Sequence, residues 1–390
     1  MMLQSLIRLT VWFVLGAQLT LEVQAVPNDN TDNALRPYWN VHAGPVSQGG
    51  CDVYEDRLKT AWEEVCLFAR QALLDVRFIS TNYNNGNGPT NANNRPRWNR
   101  VWNTFIALFG SPWDDQGNMK QPISDNAIFL TESFYSGVIT RCSSRAGPGL
   151  ESPTLYCSDQ HFRFVRNGEP DPEDASQKIE DTHPQCAARG GIWYSSQYPA
   201  GYHYIDSLPP ANPGDPPECS ADTMAYTDMT APPPKLVSFC PGGLDDAVAS
   251  IHAVRNKIKG EKAIKGTTTM LILAGKITTL YDAGGKKKTD IPTAWLHELA
   301  HLIANRNDEQ TYTKDGKLKT HKETKWSDAE GKHVSQNVAT KTYTWEAAVR
   351  LAQYNQRKAG KSPENLALFG KAMFLSEWDW HKGYAQPPPP

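Results

Sequence analysis

A chain of 390 residues with a formal net charge of −2 has room for one large domain or two ordinary ones. It carries no bulk field to attract nucleic acid or an anionic membrane. Twelve Trp, fifteen Tyr and twelve Phe supply a packed core, while 28 Gly and 28 Pro imply long ordered loops.

Residues 1–25 read as a secretory signal. Arg8 is the basic start, "LTVWFVLGAQLTL" the apolar stretch, and "VQA" a small-residue cleavage site after Ala25. Gln18 interrupts the apolar stretch and no later segment approaches a span, so stable membrane association is not expected. A polar lead covers 26–50. Residues 51–385 read as a single domain, with a helical part at 51–110, disulfide-rich loops at 111–235 and a chemistry-bearing half at 236–385. A proline tail (386–390) follows.

Cys51, Cys66, Cys142, Cys157, Cys186, Cys219 and Cys240 suit an oxidising compartment, with one left over after pairing. The similar spacings of Cys51 to Cys66 and Cys142 to Cys157 hint at local bridges, although spacing does not decide connectivity. No Cys-x-x-Cys pair occurs, which argues against a cysteine zinc site.

In "YEDRLKTAWEEVCLFARQALLDVRFI", Leu58, Trp62, Val65, Cys66, Ala69 and Leu73 fall on one helical stripe. "NYNNGNGPTNANNRPR" is a loop, and "WNRVWNTFIALFG" restores helical spacing. Residues 110–235 read as mostly irregular. "LDDAVASIHAVRNKIKG" is a predicted helix and "TTTMLILAGKITTLYD" a predicted strand. The helix "IPTAWLHELAHLIANR" comes next, then a polar stretch from Asn305 to Lys341. The predicted helices "YTWEAAVRLAQYNQRK" and "PENLALFGKAMFL" close the chain.

The chemistry lies in His297, Glu298 and His301. Asp290 can cap the helix, and Pro292 is tolerated in its first turn. Leu296, Leu299, Ala300 and Ile303 form the stripe that docks on a core. His297 and His301, four apart, stack on one flank, so their nitrogens can share a zinc ion. Glu298 points about a quarter-turn away, where it can serve water as general base without ligating the metal. The pattern is the metalloprotease motif His-Glu-x-x-His. A metzincin continuation would need Gly and then His or Asp three and six residues after His301; Ala304 and Asn307 stand there.

"FCPGG", HELAH, "TYTWEAAVRLA", "SPENLALFGKAMFL" and "WDWHKGYA", in that order, resemble the deuterolysin-like secreted fungal metallopeptidases of the aspzincin clan. The likeness spreads over roughly residues 219–385, and HELAH is its one sharply specific element. It implies a zincin-like fold, a zinc cofactor and peptide-bond hydrolysis. It also implies that Tyr343 is the tyrosine that stabilises the oxyanion. Thr340 stands where that family has its third ligand, an Asp three residues before the tyrosine, and a Thr hydroxyl is a poor zinc ligand. Glu346, in the first turn of the following helix, is a physical substitute, with Asp308, Asp328 or no protein third ligand as alternatives.

The expectation is an α+β, mainly helical protein with a small sheet over the active-site helix, secreted and monomeric. It would hydrolyse polypeptides with His297, His301 and Glu346 on zinc, Glu298 as base and Tyr343 as oxyanion donor. A catalytically inactive zincin-like binding protein is the alternative, motivated by the missing family ligand.

Overall fold

The computed structural model describes residues 35–84, 87–143, 152–198, 200–203, 217–219, 223–228, 235–257, 280–281, 287–327 and 332–389. The predicted signal segment, Asp328 and all but the end of the predicted strand at 267–282 lie outside the described residues.

Strand β1 (Asn40–Val41) precedes the long helix α1 (Glu55–Asn82), whose stripe Leu58, Trp62, Val65, Cys66, Ala69 and Leu73 is buried as its spacing requires. Helix α2 (Arg95–Phe109) begins with Pro96 in its first turn and is tied to α1 by Asp75. The fully buried Asp75 carboxylate takes Arg97 at 2.7 Å and Arg100 at 3.4 Å. Helix α3 (Ala127–Ser143) follows, then β2 (Thr154–Tyr156) and the antiparallel sheet of β3 (Arg163–Arg166), β4 (Gly191–Tyr194) and β5 (Tyr202–His203).

The expectation that 110–235 is mostly irregular missed helix α3 and these short strands. Helix α3 is apolar on most sides and mixes in Ser, Thr and Gly, so it shows no clean stripe.

Strands β6 (Ala225–Asp228) and β7 (Leu236–Phe239) complete a four-stranded sheet in the order β1-β2-β7-β6. β1, β2 and β7 run parallel, while β6 is antiparallel to β7 and forms the edge among the described residues. The predicted helix at 244–260 does not form as one element: a short helix ends at Asp246, and a 3-10 turn covers His252–Lys257. Backbone pairing explains the break. The Val248 N–H donates to Thr289 and its carbonyl accepts from Ile291, drawing the chain off to the start of helix α4 (Ile291–Ala304).

After α4, the polar stretch contains the antiparallel hairpin β8 (Thr320–Ser327) and β9 (Lys332–Ala339). Helices α5 (Trp345–Tyr354) and α6 (Pro363–Phe374) match the last two expected helices. The architecture is thus mixed α+β, with helices packed around a single main core. Among the described residues, no helix is long and apolar enough to cross a membrane.

The disulfides are Cys51–Cys157, Cys66–Cys142 and Cys219–Cys240, with Cys186 free and buried. The hinted local bridges are corrected. The two similarly spaced pairs belong to segments lying side by side, so each cysteine bridges across to the other segment.

Candidate metal centre

Three contacts hold α4 in place. Its N-cap Asp290 accepts from the Thr293 N–H at 2.8 Å, while its other oxygen takes the buried Lys371 ammonium of α6 at 2.5 Å. Trp295, fully buried, lies 5.3 Å from each of Trp39 and Trp62, ring centre to ring centre. Leu296 meets Gly370 of α6 so closely that a Cβ there would stand 2.5 Å from Leu296 Cδ2. Glycine is what lets the two helices approach.

With Trp295, Leu296, Leu299 and Ala300 inward, His297 and His301 share the flank facing a cleft, their rings 5.1 Å apart. The helix then reverses. Asn305 adopts the left-handed conformation (φ 50°, ψ 48°), and the N–H groups of Asn305 and Arg306 both reach the Ala300 carbonyl. The reversal returns the Arg306 carbonyl to His301, which donates its Nδ1–H over 2.6 Å. It also carries Asp308 back over the histidines.

Asp308 Oδ1 lies 3.2 Å from His297 Nε2 and 3.6 Å from His301 Nε2. Donors on a tetrahedral zinc with bonds of 2.0–2.1 Å are separated by roughly 3.3 Å. His297, His301 and Asp308 are the group among the described residues whose donor atoms could hold a metal ion. Two imidazoles and one carboxylate suit zinc, whereas calcium or magnesium would ask for more oxygen donors.

The outer partners are in place too. Besides the Arg306 carbonyl on His301, Glu364 Oε2 from the first turn of α6 stands 3.3 Å from His297 Nδ1. Burial alone would lower the His297 pKa. The Asp308 and Glu364 carboxylates, one at each ring nitrogen, outweigh burial and hold it well above the ordinary histidine value. Burial would likewise raise Asp308, yet its contacts with the histidines and Tyr343 take it far below the usual carboxylate value. The pocket therefore favours positive charge at its centre.

Tyr343 arrives through the hairpin. Bonds from Thr311 N–H to the Thr340 carbonyl (2.9 Å), Thr340 N–H to Lys319 (2.9 Å) and Thr342 N–H to Glu309 (3.0 Å) zip its base shut. Across 35 residues of sequence, the Tyr343 hydroxyl thereby donates to Asp308 Oδ2 at 2.7 Å. The structure puts Tyr343 beside the site, on the carboxylate of Asp308. For that hydroxyl to meet an oxyanion it would first have to leave Oδ2.

Glu298 is buried at the cleft and accepts a hydrogen bond from Thr227 of β6 at 2.7 Å. Glu346 does not join the group. It is exposed on the first turn of α5 and forms no part of the cleft wall. Its helix turns Trp345, Ala347 and Ala348 inward, which points Glu346 to solvent. Asp308 stands in its place as the candidate third ligand.

Glu364 and Thr227 escaped the sequence reading. An acidic residue in a first turn is commonplace because it suits the helix dipole, so Glu364 carried no distinguishing signal. The cleft, of about 1120 Å³, is lined by β6, by α4 and by His203. His203 Nδ1 lies 2.9 Å from Asp228, which also accepts from Tyr198.

Compared with family models, curated proteins and solved structures, the chain matches none.

Proposed function

We propose that the protein is a secreted zinc-dependent endopeptidase, with His297, His301 and Asp308 as ligands and Glu298 as general base and acid. The convergence of two imidazole nitrogens and one carboxylate oxygen, beside a buried glutamate and along the strand that edges its sheet among the described residues, carries the reading. An aspartate completing the set agrees with the aspzincin resemblance, although it comes from position 308 rather than from three residues before Tyr343. The inactive-binder alternative was motivated by the missing family ligand, and a carboxylate from Asp308 beside both histidines favours the enzyme reading over it.

A zinc ion in this pocket would supply Lewis acidity and bring the acidity of water to near-neutral pH. The protein's own groups do the rest. An extended peptide adds as a strand to β6, the edge of its sheet among the described residues, which sets its carbonyl over α4. Glu298 takes one proton from the attacking water, whose oxygen bonds the carbonyl carbon. As the C–N bond breaks, Glu298 returns that proton to the departing amine. Tyr343 holds Asp308 oriented, and the Arg306 carbonyl and Glu364 do the same for the two imidazoles. Export fits the three disulfides, which an oxidising compartment preserves.

The test is zinc content and casein cleavage by the purified protein. The parent should bind close to one zinc and lose activity to a chelator. Glu298→Gln should keep the metal and lose on the order of 10²–10⁴ in turnover. Asp308→Ala should lose the metal, and Glu346→Ala should lose neither. Chelator-indifferent cleavage, or a fully active Glu298→Gln protein, would overturn the reading.

A further inference from the structure

We propose that Thr227 is a positioning residue that ties the general base to the strand receiving the substrate; the inference rests on the peptidase reading above. β6 alternates its side chains. Tyr226 packs into a smaller, separate core with Phe162 and Trp193, and Asp228 takes Tyr198 and His203. Ala225 packs on the main core, and Thr227 turns to the same side, toward α4. There the Thr227 hydroxyl lies 2.7 Å from Glu298 Oε2 and 3.2 Å from the backbone carbonyl oxygen of the same residue.

That double contact matters because the two ends of the reaction ask opposite things of Glu298. A threonine hydroxyl has one hydrogen to give and lone pairs to receive. While Glu298 is a carboxylate, Thr227 donates to Oε2. The other oxygen, Oε1, takes the proton from water and returns it to the amine, while Oε2 accepts from Thr227 before and after that transfer. Both states are hydrogen-bonded without either chain shifting, so the carboxyl stays aimed into the cleft throughout. Valine offers neither contact, and serine offers both. Because the Thr227 backbone belongs to the strand edge, seating of an extended peptide and the aim of Glu298 share one residue.

The experiment compares Thr227→Val and Thr227→Ser with the parent in zinc content, thermal midpoint, kcat and KM on one peptide substrate. Glu298→Gln serves as the dead control. Valine preserves size and strand propensity. Thr227→Val should lower kcat roughly ten- to a hundredfold, the weight of a hydrogen bond to a charged group. Zinc content and KM should stay near parental values. Thr227→Ser should recover kcat to within about threefold of the parent, since the hydroxyl is restored. Thr227→Val at parental kcat, or a serine variant as impaired as valine, overturns the inference while leaving the peptidase reading intact. So does a valine variant whose loss follows missing zinc. A parent that does not cleave, or an active Glu298→Gln, overturns both.

Discussion

His297 shows how one side chain is specified by what surrounds it. A carboxylate stands at each ring nitrogen, Asp308 at 3.2 Å and Glu364 at 3.3 Å. The ring orientation is thus set from both sides, and Glu364 strengthens the imidazole as a donor. Glu364→Ala should weaken zinc affinity about 10- to 100-fold, measured by competition with a chromophoric chelator. Unchanged affinity would show that Glu364 serves only its own helix terminus. Glu298 shows the complementary case. Its neighbour Thr227 is a hydroxyl on another element, and nothing in a one-dimensional motif points to position 227.

At the scale of elements, the end of α4 matters as much as its middle. Asn305 is the described non-glycine residue with positive φ, and its left-handed turn sends the chain back over the histidines. Asparagine tolerates that conformation, whereas a β-branched residue pays for it with steric strain. Asn305→Gly should keep zinc and thermal midpoint close to parental. Asn305→Val should cost about 1–2 kcal/mol and reduce zinc content, because Asp308 is displaced with the turn. Denaturation curves with metal analysis of the two variants check this; a Val variant matching the parent in both would refute it. The zipped hairpin base works similarly. It makes the length of the intervening loop irrelevant and sets Tyr343 on Asp308 from 35 residues away.

For the whole molecule, the junction between the two larger sheets carries a half-buried titratable group. The His161 ring lies 5.0 Å from Tyr156 and 4.5 Å from Phe162, and its Nδ1 is 2.8 Å from Ser195 Oγ. Burial first, then the nearby His42 and His203, pushes its pKa down to about 4. The unfolded chain has an ordinary histidine value near 6.5. Between those values the unfolded state binds the proton and the folded state does not, so stability falls as pH drops through about 6.5 toward 4. The loss should be on the order of 1–3 kcal/mol, after allowance for partial exposure. Urea midpoints of the parent and His161→Gln at about pH 7 and pH 4.5 isolate this contribution. An equal drop in both proteins would assign the acid sensitivity elsewhere.

Local pattern alone determined the helix of His297, Glu298 and His301. Its Asp290 cap, Pro292 and inward stripe are interactions within one or two turns, and they form as expected. The amphipathic spacing of α1, α2, α5 and α6 was legible for the same reason. Sequence could name Asp308 only as one of several carboxylates, and it favoured Glu346, whose helical spacing was plain to see. Tertiary structure brings Asp308, and not Glu346, against the two histidines, because donor convergence depends on where a chain goes after a helix ends. A single left-handed residue and a hairpin base govern that path, and neither leaves a periodic trace. The disulfide partners, Glu364 and Thr227 were hidden for the same physical reason: each contact joins elements whose separation in space has no relation to their separation along the chain.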